Sequence, residues 1–156
     1  MAEDKRAAPS TAAMVGRYAL TYAGLCLLVT LAYWALERWL GSAPGGNAMG
    51  IVVPFLAAMT TGQLYVVRAG QSPDKGTLWR WAALFWLVTM LISLALAGLA
   101  NAGGALDGQF AEMLADPTGL KVLGAALAVM AVLLFFILRR GIGMGLRQGM
   151  RAARRS

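Results

Sequence analysis

The Ser, Thr and Gln side chains expected to be buried within the apolar stretches of this 156-residue chain are Thr21, Thr30, Thr60, Thr61, Gln63, Thr89 and Ser93. A hydroxyl of this kind donates to the helix carbonyl four residues back, so six of these seven need no further partner. Gln63 is different. Its carboxamide has two donors and an acceptor, more than its own helix can serve. It must reach a neighbouring helix, the membrane interface or Arg68. Thr60, Thr61 and Thr89 are the residues that would join it in a polar interhelical contact or a ligand site.

Other chemistry is defined by what is missing. The chain has no histidine, the usual axial ligand of b-type haem, the commonest zinc and copper ligand and the commonest general base near neutral pH. It has one cysteine, Cys26, so no disulfide or multi-cysteine metal site forms within one chain. Cys26 is expected as a small packed apolar residue. No Asp, Glu, Lys or Arg falls at the centre of an apolar stretch, where proton-coupled transporters carry an acid. The glycines at 141, 143 and 145 lack the preceding strand that a dinucleotide loop requires. The chain is therefore expected to have no catalytic, cofactor or metal site, and to be no enzyme.

The elements that would position these residues follow from hydropathy. Charge-free stretches run over about 18–36, 39–67, 81–106 and 122–138. About 20 apolar residues at 1.5 Å rise cross a hydrocarbon core of roughly 30 Å. The expected fold is an all-α integral membrane four-helix bundle with helices over about 14–40, 47–68, 73–100 and 117–140. Residues 1–13 read as a disordered arm. The first stretch is too long for a signal-peptide core and no small-residue cleavage pattern follows it, so it is expected to remain as a helix.

Charge fixes the orientation. Lys5, Arg6, Arg17, Arg68, Lys75, Arg80, Arg139, Arg140, Arg147, Arg151, Arg154 and Arg155 fall on one side if the helices alternate, leaving Arg38 and Lys121 opposite. With the acids included, the net charge of +7 divides into about +9 and −2. Excess Lys and Arg in short loops mark the cytoplasmic face. The expectation is a multi-pass protein of the bacterial inner membrane with both termini inside. Spread along helix ends, these charges do not form a nucleic-acid module.

Local signals refine the picture. Asn47 is a candidate N-cap, and Pro54 is expected to bend the second helix. Ser72-Pro73-Asp74 reads as a helix start with Ser72 as the cap. In the second outer loop Leu106, Phe110, Met113 and Leu114 recur at helical spacing, which predicts a short interfacial helix. Residues 141–156 read as a loosely helical basic cytoplasmic tail, weakened by Gly141, Gly143, Gly145 and Gly149. Its arginines, Arg139, Arg140, Arg147, Arg151, Arg154 and Arg155, are candidates for anionic-lipid contact. Ala58/Gly62, Ser93/Ala97 and Gly124/Ala128 have the small-xxx-small spacing that lets membrane helices approach closely.

Asn47, Pro54, Ala57-Ala58, Gly62-Gln63, Val66-Val67-Arg68, Gly70-Gln71-x-Pro73 and Leu78-Trp79-Arg80 together resemble a family of small bacterial inner-membrane proteins of unknown function with four predicted helices. The likeness covers about residues 47–100: a Gly-Gln pair near the end of helix two, a short basic loop with a proline, then Trp-Arg leading into helix three. Asp74-Lys75-Gly76 departs from that family's usual acidic-basic pair. The resemblance implies a topology and no catalytic residue.

Two functions are compatible with this inventory. One is a non-catalytic accessory or structural subunit that packs in a larger inner-membrane complex, with lipids and other membrane subunits as partners and no nucleic acid. The other is a small homo-oligomeric transporter or channel, whose polar path would have to use Thr60, Thr61, Gln63 and Thr89.

Overall fold

The computed structural model describes residues 9–41, 49–103 and 117–154. Among them the chain is all-helical: α1 (Thr11–Leu40), α2 (Met49–Ala69), α3 (Lys75–Ala102) and α4 (Pro117–Ala153). All four are long and apolar enough to cross a membrane. The predicted interfacial helix, the Asn47 cap and Arg155 lie outside the described residues.

Local chemistry sets the ends. α1 starts at Thr11 because the Ser10 hydroxyl accepts the Ala13 N–H at 3.2 Å; the helix therefore takes in the last residues expected in the arm. It stops at Gly41, whose φ of 68° is left-handed and whose N–H donates to Glu37 O at 3.0 Å. α2 stops in the same way at Gly70, with φ 66° and its N–H on Val66 O at 2.8 Å. α2 runs unbroken through Pro54. α3 starts at Lys75, and its cap is Asp74 rather than Ser72: the Asp74 carboxylate accepts the Thr77 N–H at 3.0 Å and the Thr77 hydroxyl. A carboxylate beside the positive end of the helix dipole outcompetes a hydroxyl two residues earlier.

The larger departure is α4, which continues through residues 141–153 as one helix. The segment read as a loose tail packs into the core. Ile142 and Leu146 are buried, and so are Gly141, Gly145 and Gly149. Intrinsic propensity is a weak prior, and tertiary packing overrides it here.

Around the bundle the helices neighbour one another in the order α1, α2, α4, α3. Contacts fix their directions. Tyr18 meets Thr89 and Tyr22 meets Ser93, so α1 and α3 run parallel. Gly141, Gly145 and Gly149 face Phe55, Met59 and Gln63 in turn, so α2 and α4 run parallel. Trp79 packs on Phe135 while Trp86 bonds Ala131, so α3 and α4 are antiparallel.

Length explains where the core sits. α2 has 21 residues against 30, 28 and 37 for the others, or about 31 Å against 45, 42 and 55 Å. The buried cluster gathers where all four helices coexist: Met14, Tyr18 and Tyr22 near the start of α1, Trp81, Ala82 and Phe85 near the start of α3, and Leu134, Leu138, Ile142 and Leu146 in the second half of α4. α2 is the hub; 44% of its most apolar window is buried, against 6% in α1 and in α4. At the far end Leu27, Leu28 and Leu31 of α1 and Leu94 and Leu99 of α3 are exposed. From Leu120 to Met130 every position whose side chain is described is exposed.

Candidate functional site

The sequence-predicted polar residues do not converge. The Thr60 hydroxyl donates to Leu56 O at 2.9 Å and the Thr61 hydroxyl to Ala57 O at 2.7 Å, both within α2. Thr30 does the same to Cys26 O at 2.9 Å in α1. Cys26 itself is a free, half-buried thiol packed beside the core. Gln63 reaches across to α4, not to Arg68: its Nε2 donates to Gln148 Oε1.

Thr89 belongs to a different arrangement. Its hydroxyl donates to Phe85 O at 2.8 Å and lies 2.6 Å from the Tyr18 hydroxyl. A threonine has one hydroxyl proton, so Tyr18 donates and Thr89 accepts. One turn on, Tyr22 and Ser93 pair at 3.1 Å. The Tyr18 ring stacks on Phe85 with centroids 4.1 Å apart and planes within 4°. Tyr18 and Tyr22, four apart on α1, thus meet Phe85, Thr89 and Ser93, spaced by four on α3. The i, i+4 match between aromatic hydroxyls and small hydroxyls was the available signal, and hydropathy alone does not reveal it.

The closest helix approach is between α2 and α4. A Cβ at Gly145 would overlap the Met59 carbonyl, with Met59 C at 2.8 Å and Gln63 N at 3.1 Å. At Gly62 it would meet Ile142 O at 2.7 Å, at Gly141 Phe55 O at 3.1 Å, and at Gly149 Val66 Cβ at 3.0 Å. Ala58 and Gly62 therefore act as the sequence suggested, against Gly141, Gly145 and Gly149. Of the other two small pairs, Ala97, Gly124 and Ala128 are exposed, and Ser93 meets the Tyr22 hydroxyl of α1. The Gln63–Gln148 pair lies one turn beyond Gly145 at the same seam.

The basic residues divide as well. Arg139 stacks over Trp79 with its guanidinium carbon 3.9 Å from the ring centroid, a cation–π contact. Arg139, Arg140 and Arg147 line an open groove of about 450 Å³ together with Leu78, Phe136, Gly143 and Met144. Arg151 and Arg154 are exposed outside it. Two buried donors, Arg17 Nη1 and Trp81 Nε1, find no acceptor among the described residues. Among those residues, no three His, Cys, Asp or Glu side chains come together.

No protein-family model, curated protein or solved structure matches this chain.

Proposed function

We propose that this chain is a non-catalytic accessory subunit of a bacterial inner-membrane complex, with both termini in the cytoplasm. One observation carries the reading. Where the chain packs its own helices most closely it uses small residues four apart, and the same spacing recurs at Gly124 and Ala128 on the exposed stretch of α4. A Cβ at Gly124 would meet nothing within 4 Å. Small residues on a membrane helix let another backbone approach, and dispersion between close backbones is a main driver of helix association in lipid. The exposed halves of α1, α3 and α4 thus offer apolar surface with a notch for a further transmembrane helix.

The channel alternative has less support. Thr60, Thr61 and Thr89 have their hydroxyls engaged within the bundle, and Gln63 is paired with Gln148. They line no common path among the described residues.

The test is purification from native membranes after mild solubilisation. A stoichiometric membrane-protein complex is expected, and Gly124→Leu with Ala128→Leu should dissolve it without lowering the chain's own unfolding midpoint. Recovery only as a free monomer, or a complex indifferent to both substitutions, would overturn the proposal. Cysteines introduced at 72 and 154 should react with a membrane-impermeant maleimide only after the inner membrane is opened.

A further inference from the structure

The groove on α4 combines charge and apolar surface in a way the accessory role does not require. Phe136, Arg139, Arg140, Gly143, Met144 and Arg147 fall at i, i+3, i+4, i+7, i+8 and i+11, one face of the helix, with Leu78 of α3 as the opposing wall. Phe136 lies within the apolar run that ends at Leu138, and Arg139 and Arg140 follow directly. The groove therefore straddles the boundary between hydrocarbon and headgroups.

Four further features give it the character of a site. Its lining has three cations and no acid. Arg140 and Arg147 have no ion-pair partner among the described residues, and Asp74, four residues before Leu78, is engaged by Thr77. Arg139 is held by the face of Trp79, which restricts one guanidinium before any ligand arrives. Gly143 forms the floor; a Cβ there would meet nothing within 4 Å, unlike the glycines at 141, 145 and 149 on the neighbouring face. Glycine at 143 opens the groove and serves no helix packing.

We infer that this groove binds one anionic phospholipid, its phosphate between Arg140 and Arg147 and an acyl chain along Phe136 and Leu78. Arginine presents planar, multidentate donors that match phosphate oxygens. The apolar wall distinguishes a lipid from a free phosphate. Bound lipid would also cover the seam between α3 and α4 below the Trp86–Ala131 bond. The inference requires a membrane protein and does not depend on a partner subunit.

The experiment uses the full chain, purified in neutral detergent and titrated with phosphatidylglycerol or phosphatidylcholine, with retained lipid counted by native mass spectrometry at about 0.5 M salt. At that ionic strength the Debye length is only about 4 Å, so diffuse surface attraction is screened. One phosphatidylglycerol per chain is expected, preferred over phosphatidylcholine by about tenfold or more. Arg147→Gln and Gly143→Leu should each weaken retention about tenfold, the second by filling the floor without touching the bundle; an unfolding midpoint no lower than the parent's shows that the fold is intact. Arg151→Gln removes the same charge outside the groove and should change retention by less than about twofold. Equal loss from Arg151→Gln and Arg147→Gln would mean diffuse attraction and sink the site. So would indifference to Gly143→Leu, equal retention of phosphatidylcholine, or displacement of the lipid by inorganic phosphate at equal concentration.

Discussion

Gly145→Ala and Gly143→Ala make the same chemical change two residues apart on one helix, and the structure assigns them opposite signs. At Gly143 the added methyl meets open space, so the variant keeps the full helix-propensity gain of Ala over Gly, about 1 kcal/mol. At Gly145 the methyl overlaps the Met59 carbonyl, and Gln63 N stands 3.1 Å away. These are backbone atoms, which cannot rotate aside as a side-chain end would. α2 and α4 must part by roughly 1 Å. A gap of that size forfeits a quarter to a half of each dispersion contact along the seam, and overpacking of this kind costs about 1–3 kcal/mol. Against the propensity gain, Gly145→Ala should leave the protein about 0–2 kcal/mol less stable than the parent and about 1–3 kcal/mol less stable than Gly143→Ala. Titration with dodecyl sulfate in mixed micelles, followed by tryptophan fluorescence, measures both; Trp81 is buried and reports loss of the core. Gly62→Ala, facing Ile142 O at 2.7 Å, should share the sign of Gly145→Ala. Two variants within about 0.5 kcal/mol of each other, or Gly145→Ala more stable than the parent, would refute a backbone-close α2–α4 seam.

The other expectations are smaller. Gln63→Leu leaves Gln148 without its partner and should cost about 0.6–2 kcal/mol; a double-mutant cycle with Gln148→Leu in the same titration should return a coupling of that order, and additive effects would exclude the pair. Tyr18→Phe removes the donor to Thr89 while the Thr89 hydroxyl keeps Phe85 O, so the loss should be about 0.6 kcal/mol and at most about 1.7, with a far-ultraviolet spectrum like the parent's. Hydrogen bonds from the Thr77 side chain and N–H hold the Asp74 carboxyl below the usual carboxylate range. Its folded pKa is thus below its unfolded value, so the capping contribution is complete above the unfolded pKa and is lost as pH falls through the folded one. Exchange protection at the start of α3, corrected for intrinsic rates, should fall with acidification below that range in the parent and stay flat in Asp74→Asn.

The apolar stretches alone established that the chain has four helices fit to cross a membrane, because hydropathy adds up along a segment whatever packs against it. The back-bonds of Thr60 and Thr61 were legible for the same reason: partner and donor lie on one helix. What the tertiary structure decided are the relations between segments. In a chain with 19 glycines, small residues four apart arise in many places, and only the docking of α4 on α2 separates the set at 141, 145 and 149, which is buried, from the pair at 124 and 128, which is not. The helical state of residues 141–153 depends on that same docking. Glycine disfavours a helix taken alone, yet it is the one residue that lets two backbones come this close, and dispersion along the seam outweighs the propensity lost. Gln63 shows the same division: its amide announced the need for a partner, and the three-dimensional register of α2 against α4 supplied Gln148.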